Sequence, residues 1–341
     1  MLKTLLMSVC LISCSILLYS LAWAKLPQHK SYAEQDAWKQ LQKQFPVEYQ
    51  LSEQQLPKEY FWSWQQHQVH IDHYPRPDAN AKVILLHGVG TNGRQMSLVL
   101  GHPLAQAGYE TMAIDLPGYG LTTYSSKSNI RYEDWIKLVS DFVDHEAQKD
   151  DRPIFLYGLS AGGMLTLHVA MQNRHVKGII GMTFLDQQDL DVKKGTMRFS
   201  PLSPVLLPGM NITAKTPLGK LALPMSWVSK MSKLTNDPTA LKIMLNDKTS
   251  AGNTMSIQFL NSYMNYRPPY HVSSFVQCPV LLTQPAEDHW TPLALSQEVM
   301  KRLSVPHQTV MLPQGGHYPV EKQALDQLQK SSIAFIQQHL N

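Results

Sequence analysis

Apolar and polar positions along the chain divide it into short strand-like runs separated by longer helical stretches. Residues 81–86, 154–157 and 177–185 are apolar almost throughout, the pattern of strands covered on both faces of a sheet. Residues 111–114, 279–283 and 308–312 read as further short strands. Residues 60–64 and 68–73 alternate like the two arms of a hairpin. Between these runs, residues 97–108 predict a helix ended by Gly108. Residues 131–148 predict an amphipathic helix with Trp135, Leu138, Val139, Phe142 and Val143 on one side. Residues 164–172 form a helical stretch almost without charge, and residues 325–340 a closing amphipathic helix. Strand and helix alternating in this way predict an α/β fold.

Two stretches depart from that rhythm. Residues 25–57 are rich in Gln and Lys and read as helix and loop lying over the surface. Residues 186–272 carry eight prolines, with helical pieces at 238–245 and 254–264 between them. The organisation expected is a leader at 1–24, a core from 25–185, an insertion at 186–272 and the rest of the core at 273–341.

The leader has a positive start at Lys3, an uncharged apolar run from Thr4 to Leu21, and a small-x-small site at Ala22-Trp23-Ala24. That is the form of a secretory signal peptide, and it places the protein outside the cytoplasm, periplasmic or secreted. Two alternatives stay open. The run is long enough to remain as an uncleaved membrane anchor, and Leu11-Ile12-Ser13-Cys14 resembles a lipoprotein cleavage box with a lipidated Cys14. Cleavage after Ala24 leaves Cys278 as the one cysteine, so no internal disulfide is expected. The net charge of +4 is too small to argue for nucleic acid, and no basic cluster interleaves with aromatics. His67, His70 and His73 fall three apart on a predicted strand, which puts alternate members on opposite faces and prevents convergence on one metal.

Chemistry concentrates where strands end. The run at 154–157 passes at once into Gly158-Leu159-Ser160-Ala161-Gly162 and then a helix. A strand, a G-x-S-x-G pentapeptide and a helix make a turn so tight that the neighbours two before and two after the serine must be very small. Such a turn lifts the Ser160 hydroxyl above the sheet and aims the positive end of the helix at developing negative charge. His87-Gly88-Val89-Gly90 follows the strand at 81–86, and Asp115-Leu-Pro-Gly-Tyr-Gly120 follows the strand at 111–114. Together the three motifs resemble the α/β-hydrolase fold superfamily over residues 60–185 and 275–340. The resemblance implies a mostly parallel central sheet flanked by helices, with residues 186–272 as a mainly helical cap.

Within that resemblance the order Ser160, Asp288, His317 matches the nucleophile, acid and base of the fold. A serine hydroxyl is a poor nucleophile near neutral pH, so His317 must take its proton, and Asp288 must orient and stabilise the imidazole. Glu287 and Asp186 compete for the acid and His289 for the base. His87 is read as bracing its loop, and Asp115 likewise. The backbone N–H groups of Val89 and Ala161 are the expected oxyanion donors. No metal or organic cofactor is implied.

The insertion carries ten basic residues against five acidic ones and seven of the sixteen methionines. Methionine adapts to varied acyl chains, and a basic face favours an anionic substrate or membrane surface. The expected activity is carboxylic ester hydrolysis through an acyl-enzyme on Ser160, on a small-molecule ester or a lipid-like substrate. Peptidase, thioesterase, carbon–carbon bond hydrolase and cofactor-free haloperoxidase chemistry stay open on the same triad. A non-catalytic binding protein on the hydrolase scaffold is the alternative of a different class. The oligomeric state is not set by the sequence.

Overall fold

The apolar runs become the inner strands of one eight-stranded sheet in the computed structural model, which describes residues 30–124 and 129–340. The leader, its cleavage site and Cys14 lie outside the described residues. In chain order the strands are β1 (Lys58–Trp64), β2 (His67–Tyr74), β3 (Lys82–Leu86), β4 (Glu110–Ile114), β5 (Ile154–Leu159), β6 (Val176–Met182), β7 (Ala222–Pro224), β8 (Thr254–Ser256), β9 (Val280–Pro285) and β10 (His307–Leu312). The large sheet runs β1-β2-β4-β3-β5-β6-β9-β10. The hairpin β1–β2 lies antiparallel on β4, and every later pairing is parallel. All residues of β3, β4 and β5 are buried, which explains why they are apolar apart from Lys82, Glu110 and Thr111 at the strand starts. Strand β3 leads to β4 on one side and its neighbour β5 leads to β6 on the other, so the connections from their carboxyl ends depart in opposite directions. That switch point opens a crevice above β3 and β5, where ligands of open α/β sheets bind.

The structure differs from the sequence expectation at several helix and strand ends. Helix starts at Gly93, capped by the Asn92 side chain, rather than at Ser97. It widens to a π turn over Ser97–Gly101 and resumes as His102–Gln106. Pro103, with no N–H to give, follows the π turn directly. Strand β6 stops at Met182 because Thr183 adopts φ 73°. Residues 254–256 are not helical. They form β8, pair with β7, and leave Ser256 to cap the helix Ile257–Asn265. The insertion between β6 and β9 is therefore mostly helix with one small antiparallel sheet.

The correction with most consequence concerns residues 30–57, which do more than lie over the surface. Tyr32, Trp38, Leu41, Phe45 and Tyr49 are buried. The Tyr32 hydroxyl donates to both carboxylate oxygens of Asp115, at 3.1 and 3.0 Å. Its N–H donates to Glu59, and Gln35 donates to Thr249 of the insertion at 2.7 Å. Asp115 also accepts from the N–H groups of Gly93 and Leu121. It thus braces the loops after β3 and β4, as its D-x-x-G-x-G setting suggested.

Around Tyr32 lies a buried ionic network. Arg94 donates to Asp72 at 2.5 and 2.9 Å and to Glu59 at 3.1 Å, and its guanidinium covers the rings of Tyr32 and Trp38. Glu59, His70 and Asp72 bring potential metal-ligand atoms within 4.8 Å of one another, but the Arg94 cation already bridges the two carboxylates. His70 Nε2 lies 3.0 Å from Glu59, and Nδ1 lies 2.9 Å from Asp115. Burial alone would keep His70 neutral. Asp115 and Glu59 outweigh it and push its pKa up to about 10. Burial likewise works against the charge of Glu59, yet its bonds from His70 and the Tyr32 N–H bring it down to about 2.

The sign of the linkage follows. Stability gained at His70 is fully present below its ordinary pKa of about 6.5 and is lost as pH rises. That loss runs toward 10. Stability gained at Glu59 is present above about 4.3 and is lost as pH falls. Thermal unfolding should therefore be most resistant at about pH 5 to 6.5. His70→Gln should flatten the alkaline fall in Tm, and an equal alkaline slope in wild type and variant would remove His70 from the explanation.

Candidate active site

The tight turn after β5 holds Ser160 at φ 58° and ψ −120°, a left-handed conformation that L side chains rarely occupy. The cost is met by packing that leaves no room for larger neighbours. A Cβ on Gly158 would lie 2.0 Å from the carbonyl oxygen of Gly162, and one on Gly163 the same distance from that of Thr183. The Ser160 N–H is anchored to Met182 on β6 at 2.8 Å. Helix Ala161–Ala170 starts at the next residue and is buried along its whole length. Its first N–H groups have no acceptor within the helix, as at any helix start.

The loop after β3 lies against this turn. A Cβ on Gly88 would sit 2.9 Å from Ser160 Cβ and 3.1 Å from the Ala161 nitrogen. Val89 lines the same cavity as Ser160. His87 is fully buried below the loop. Its Nδ1 lies 2.9 Å from the Gly88 carbonyl, and its Nε2 accepts from the Leu116 N–H at 2.9 Å. The bonding fixes the proton on Nδ1, and burial brings the imidazole down to about 4. His87 is thus a neutral brace between the β3 and β4 loops.

Asp288 and His317 meet above the ends of β9 and β10. Asp288 Oδ2 is 2.8 Å from His317 Nδ1. Its other oxygen accepts from the N–H groups of Trp290 and Thr291, at 2.9 and 2.7 Å. Burial opposes the charge on Asp288, but His317 and the bonds from Thr291 hold its carboxyl below the usual range. The rivals are placed elsewhere. Glu287 and His289 are exposed, while Asp186 accepts from the Gln188 N–H and lies 3.6 Å from Arg302.

Thr291 is a member of this site that sequence reasoning missed. Its hydroxyl donates to Asp288 Oδ2 at 2.6 Å and lies 3.0 Å from His317 Nδ1. The available signal was a threonine three residues after the acid, where an Asp-initiated turn brings it back. Trp290 was also missed. Its ring centroid is 4.7 Å from that of His317, and it lines the Ser160 cavity. Trp290 is therefore the wall that joins base and serine. His317 Nε2 is buried and has no hydrogen-bond partner among the described residues, so the serine–imidazole bond is not made in this arrangement. Catalytic hydrogen bonds are often long before substrate arrives.

The insertion closes over these groups. Residues 231–236 touch three loops at once. Met231 packs on Gly90, the Leu234 carbonyl accepts from the Tyr318 N–H, and Asn236 donates to the Glu287 carbonyl at 3.1 Å. Four of the seven methionines of the insertion (Met197, Met210, Met225 and Met264) face the cavity that holds Ser160. The cavity measures about 70 Å³. Pockets that take small ligands run to several hundred Å³, so the cavity as it stands is smaller than such pockets.

Fold and site define an α/β-hydrolase of the serine type. The family described as Serine aminopeptidase, S33, matches residues 77–320, and the chain belongs to it. Two bacterial relatives are similar over shorter stretches. The phospholipase YtpA of Bacillus subtilis (strain 168) is 33% identical over 104 residues, 29% of this chain and 39% of the relative. The thermostable monoacylglycerol lipase of Bacillus sp. (strain H-257) is 33% identical over 98 residues, 29% of this chain and 38% of the relative. The matches thus span about two fifths of each relative's length. In fold, the chain is similar to a soluble variant of monoglyceride lipase from Saccharomyces cerevisiae, with a TM-score of 0.70 and 16% identity. That likeness covers 86% of this chain and 98% of that one.

Proposed function

We propose that the protein hydrolyses carboxylic esters of lipid-like acyl groups through an acyl-enzyme on Ser160. The observation that carries this reading is a buried, partnerless His317 Nε2, set by Asp288 and Thr291 and walled with the strained Ser160 by Trp290. As Ser160 Oγ attacks the ester carbonyl, its proton passes to Nε2 and a tetrahedral oxyanion forms. The Val89 and Ala161 N–H groups receive that charge. Collapse expels the alcohol, which takes the proton from Nε2. Water then attacks the acyl-enzyme in the same manner and releases the acid.

The apolar, methionine-rich cavity and the names of the two bacterial relatives favour an acyl chain over a peptide. The family's description keeps a peptidase reading alive. An aminopeptidase needs a carboxylate to hold the substrate's α-ammonium group, and no acidic residue lines the Ser160 cavity. A panel of glycerol esters of increasing chain length, run beside aminoacyl amides, tests the choice. Faster turnover of the amides would overturn the lipid reading.

The outer face of the insertion supports a lipid surface as the source of substrate. Leu202, Val205 and Ile212, on and beside the helix Ser203–Ala214, are exposed, as are Phe199 and Trp227. On the same helix, Leu207 and Met210 face the Ser160 cavity. An apolar patch directly over a site marks a binding surface. Val205→Asp with Ile212→Asp should weaken sedimentation with phosphatidylglycerol vesicles by about tenfold. Turnover of a monomeric short-chain ester should be unchanged, and equal vesicle binding by wild type and variant would exclude this face.

A further inference from the structure

A second concavity, of about 410 Å³, adjoins the Ser160 cavity and differs from it in charge. Lys193, Arg267 and His271 line it, together with Gln188, and no acidic residue does. The same three elements wall both spaces. Gln187 faces the Ser160 cavity and Gln188 the outer groove. On helix Leu190–Thr196, Thr196 lines the cavity and Lys193, one turn earlier, the groove. On helix Ile257–Asn265, Tyr263 lines the cavity, Asn265 the groove, and Met264 both.

The cations are unspent. Among the described residues no carboxylate lies within 4.0 Å of the Lys193 ammonium or the Arg267 guanidinium. Asp186, the acid that acts on Lys193, is already shared with Arg302 at 3.6 Å. Lys193 is only half-exposed, an expensive place for an unpaired ammonium. Arg267 is exposed and precedes Pro268, which restricts its backbone.

Resting on the ester-hydrolase reading, we infer that this groove is a subsite for an anionic phosphate-type head group, on a substrate whose acyl carbonyl lies at Ser160. Arg267 offers a bidentate fork to two phosphate oxygens, and Lys193, on another element of the same lining, a point charge. His271, whose Nδ1 lies 2.8 Å from the Ser273 hydroxyl, borders the rim. The substrates favoured are then single-chain acyl esters of a glycerol phosphate over neutral monoacylglycerols.

The test uses monomeric octanoyl esters, so that no lipid surface intervenes. Octanoylglycerol 3-phosphate and octanoylglycerol are compared in wild type, Lys193→Gln and Arg267→Gln. In wild type the phosphate ester should show the higher kcat/KM. Each variant should lose about tenfold on it, mostly in KM, and less than twofold on the neutral ester. Inorganic phosphate should compete with the phosphate ester alone. If phosphate instead alters turnover of the neutral ester, the groove is a free-anion effector site and the head-group assignment falls. Equal losses on both esters, or none, also overturn it while leaving ester hydrolysis standing. Glycerol 3-phosphate binding, followed by phosphorus NMR, reads the groove without turnover. Binding that needs Arg267, with neither ester hydrolysed, would reject the ester reading and the head-group assignment together.

Discussion

Ser160→Ala is expected to reduce ester turnover by roughly 10⁵-fold or more, because no other group here can form the acyl bond. It should also abolish the single mass adduct left by a fluorophosphonate. The substitution removes one oxygen and leaves the turn intact, since alanine fits wherever serine does. Its unfolding midpoint should match or slightly exceed that of the wild type. Ser160 holds a φ of 58° whose cost the packed glycines sustain, and that cost is unchanged in the variant. Retained turnover, or an adduct on a different residue, would place the nucleophile elsewhere. A wild-type protein that takes no adduct at all would favour the binding-protein alternative over the enzyme.

Asp288→Asn should lower kcat by about 10⁴-fold near neutral pH, with KM little changed. The reason lies in the protons rather than in the shape. Asp288 Oδ2 faces His317 Nδ1 at 2.8 Å and already accepts from Thr291. As a carboxylate it can only accept, so it draws the imidazole proton to Nδ1 and leaves Nε2 free to take the serine proton. An asparagine amide in that place donates to Nδ1, and the proton moves to Nε2, where it blocks the base. Its neighbour offers a graded control. Thr291→Val leaves the carboxylate charged but deprives it of one bond, and a loss of about tenfold is expected. Stopped-flow acylation by a chromogenic ester separates the two effects from product release. A Thr291→Val loss as large as that of Asp288→Asn would show that the threonine does more than orient the acid.

Much of this site could be read from the chain because its chemistry depends on local sterics. Gly158 must be glycine for a contact with Gly162 that the turn itself creates, so the pentapeptide carries part of its own geometry, while Gly162 and Gly163 meet Leu86 and Thr183 on other strands' ends. The buried strands were legible because strands covered on both faces are mostly apolar, with polar residues such as Lys82 and Glu110 confined to their starts in β3 and β4. What escaped notice depended on distant partners. Thr291 and Trp290 look like ordinary loop residues until the fold brings His317 beside them. The stretch around Tyr32 looked like surface because its composition is polar. Nothing local announces that Tyr32 meets Asp115, 83 residues on. The placement of β7 and β8 was hidden too, since three-residue strands lie below the length at which a period can be seen.

That N-terminal segment has a consequence for how the molecule assembles. The bond from Gln35 to Thr249 spans 214 residues, and that from Tyr49 to Asp326 spans 277. The segment around Tyr32 is therefore held by contacts distant in sequence, and such contacts slow folding. Until Asp115 receives the Tyr32 hydroxyl, the loops after β3 and β4 rest on His87 and on the bonds from Gly93 and Leu121 alone. Residues 32–49 can dock fully only once Thr249 and Asp326 are there to receive Gln35 and Tyr49.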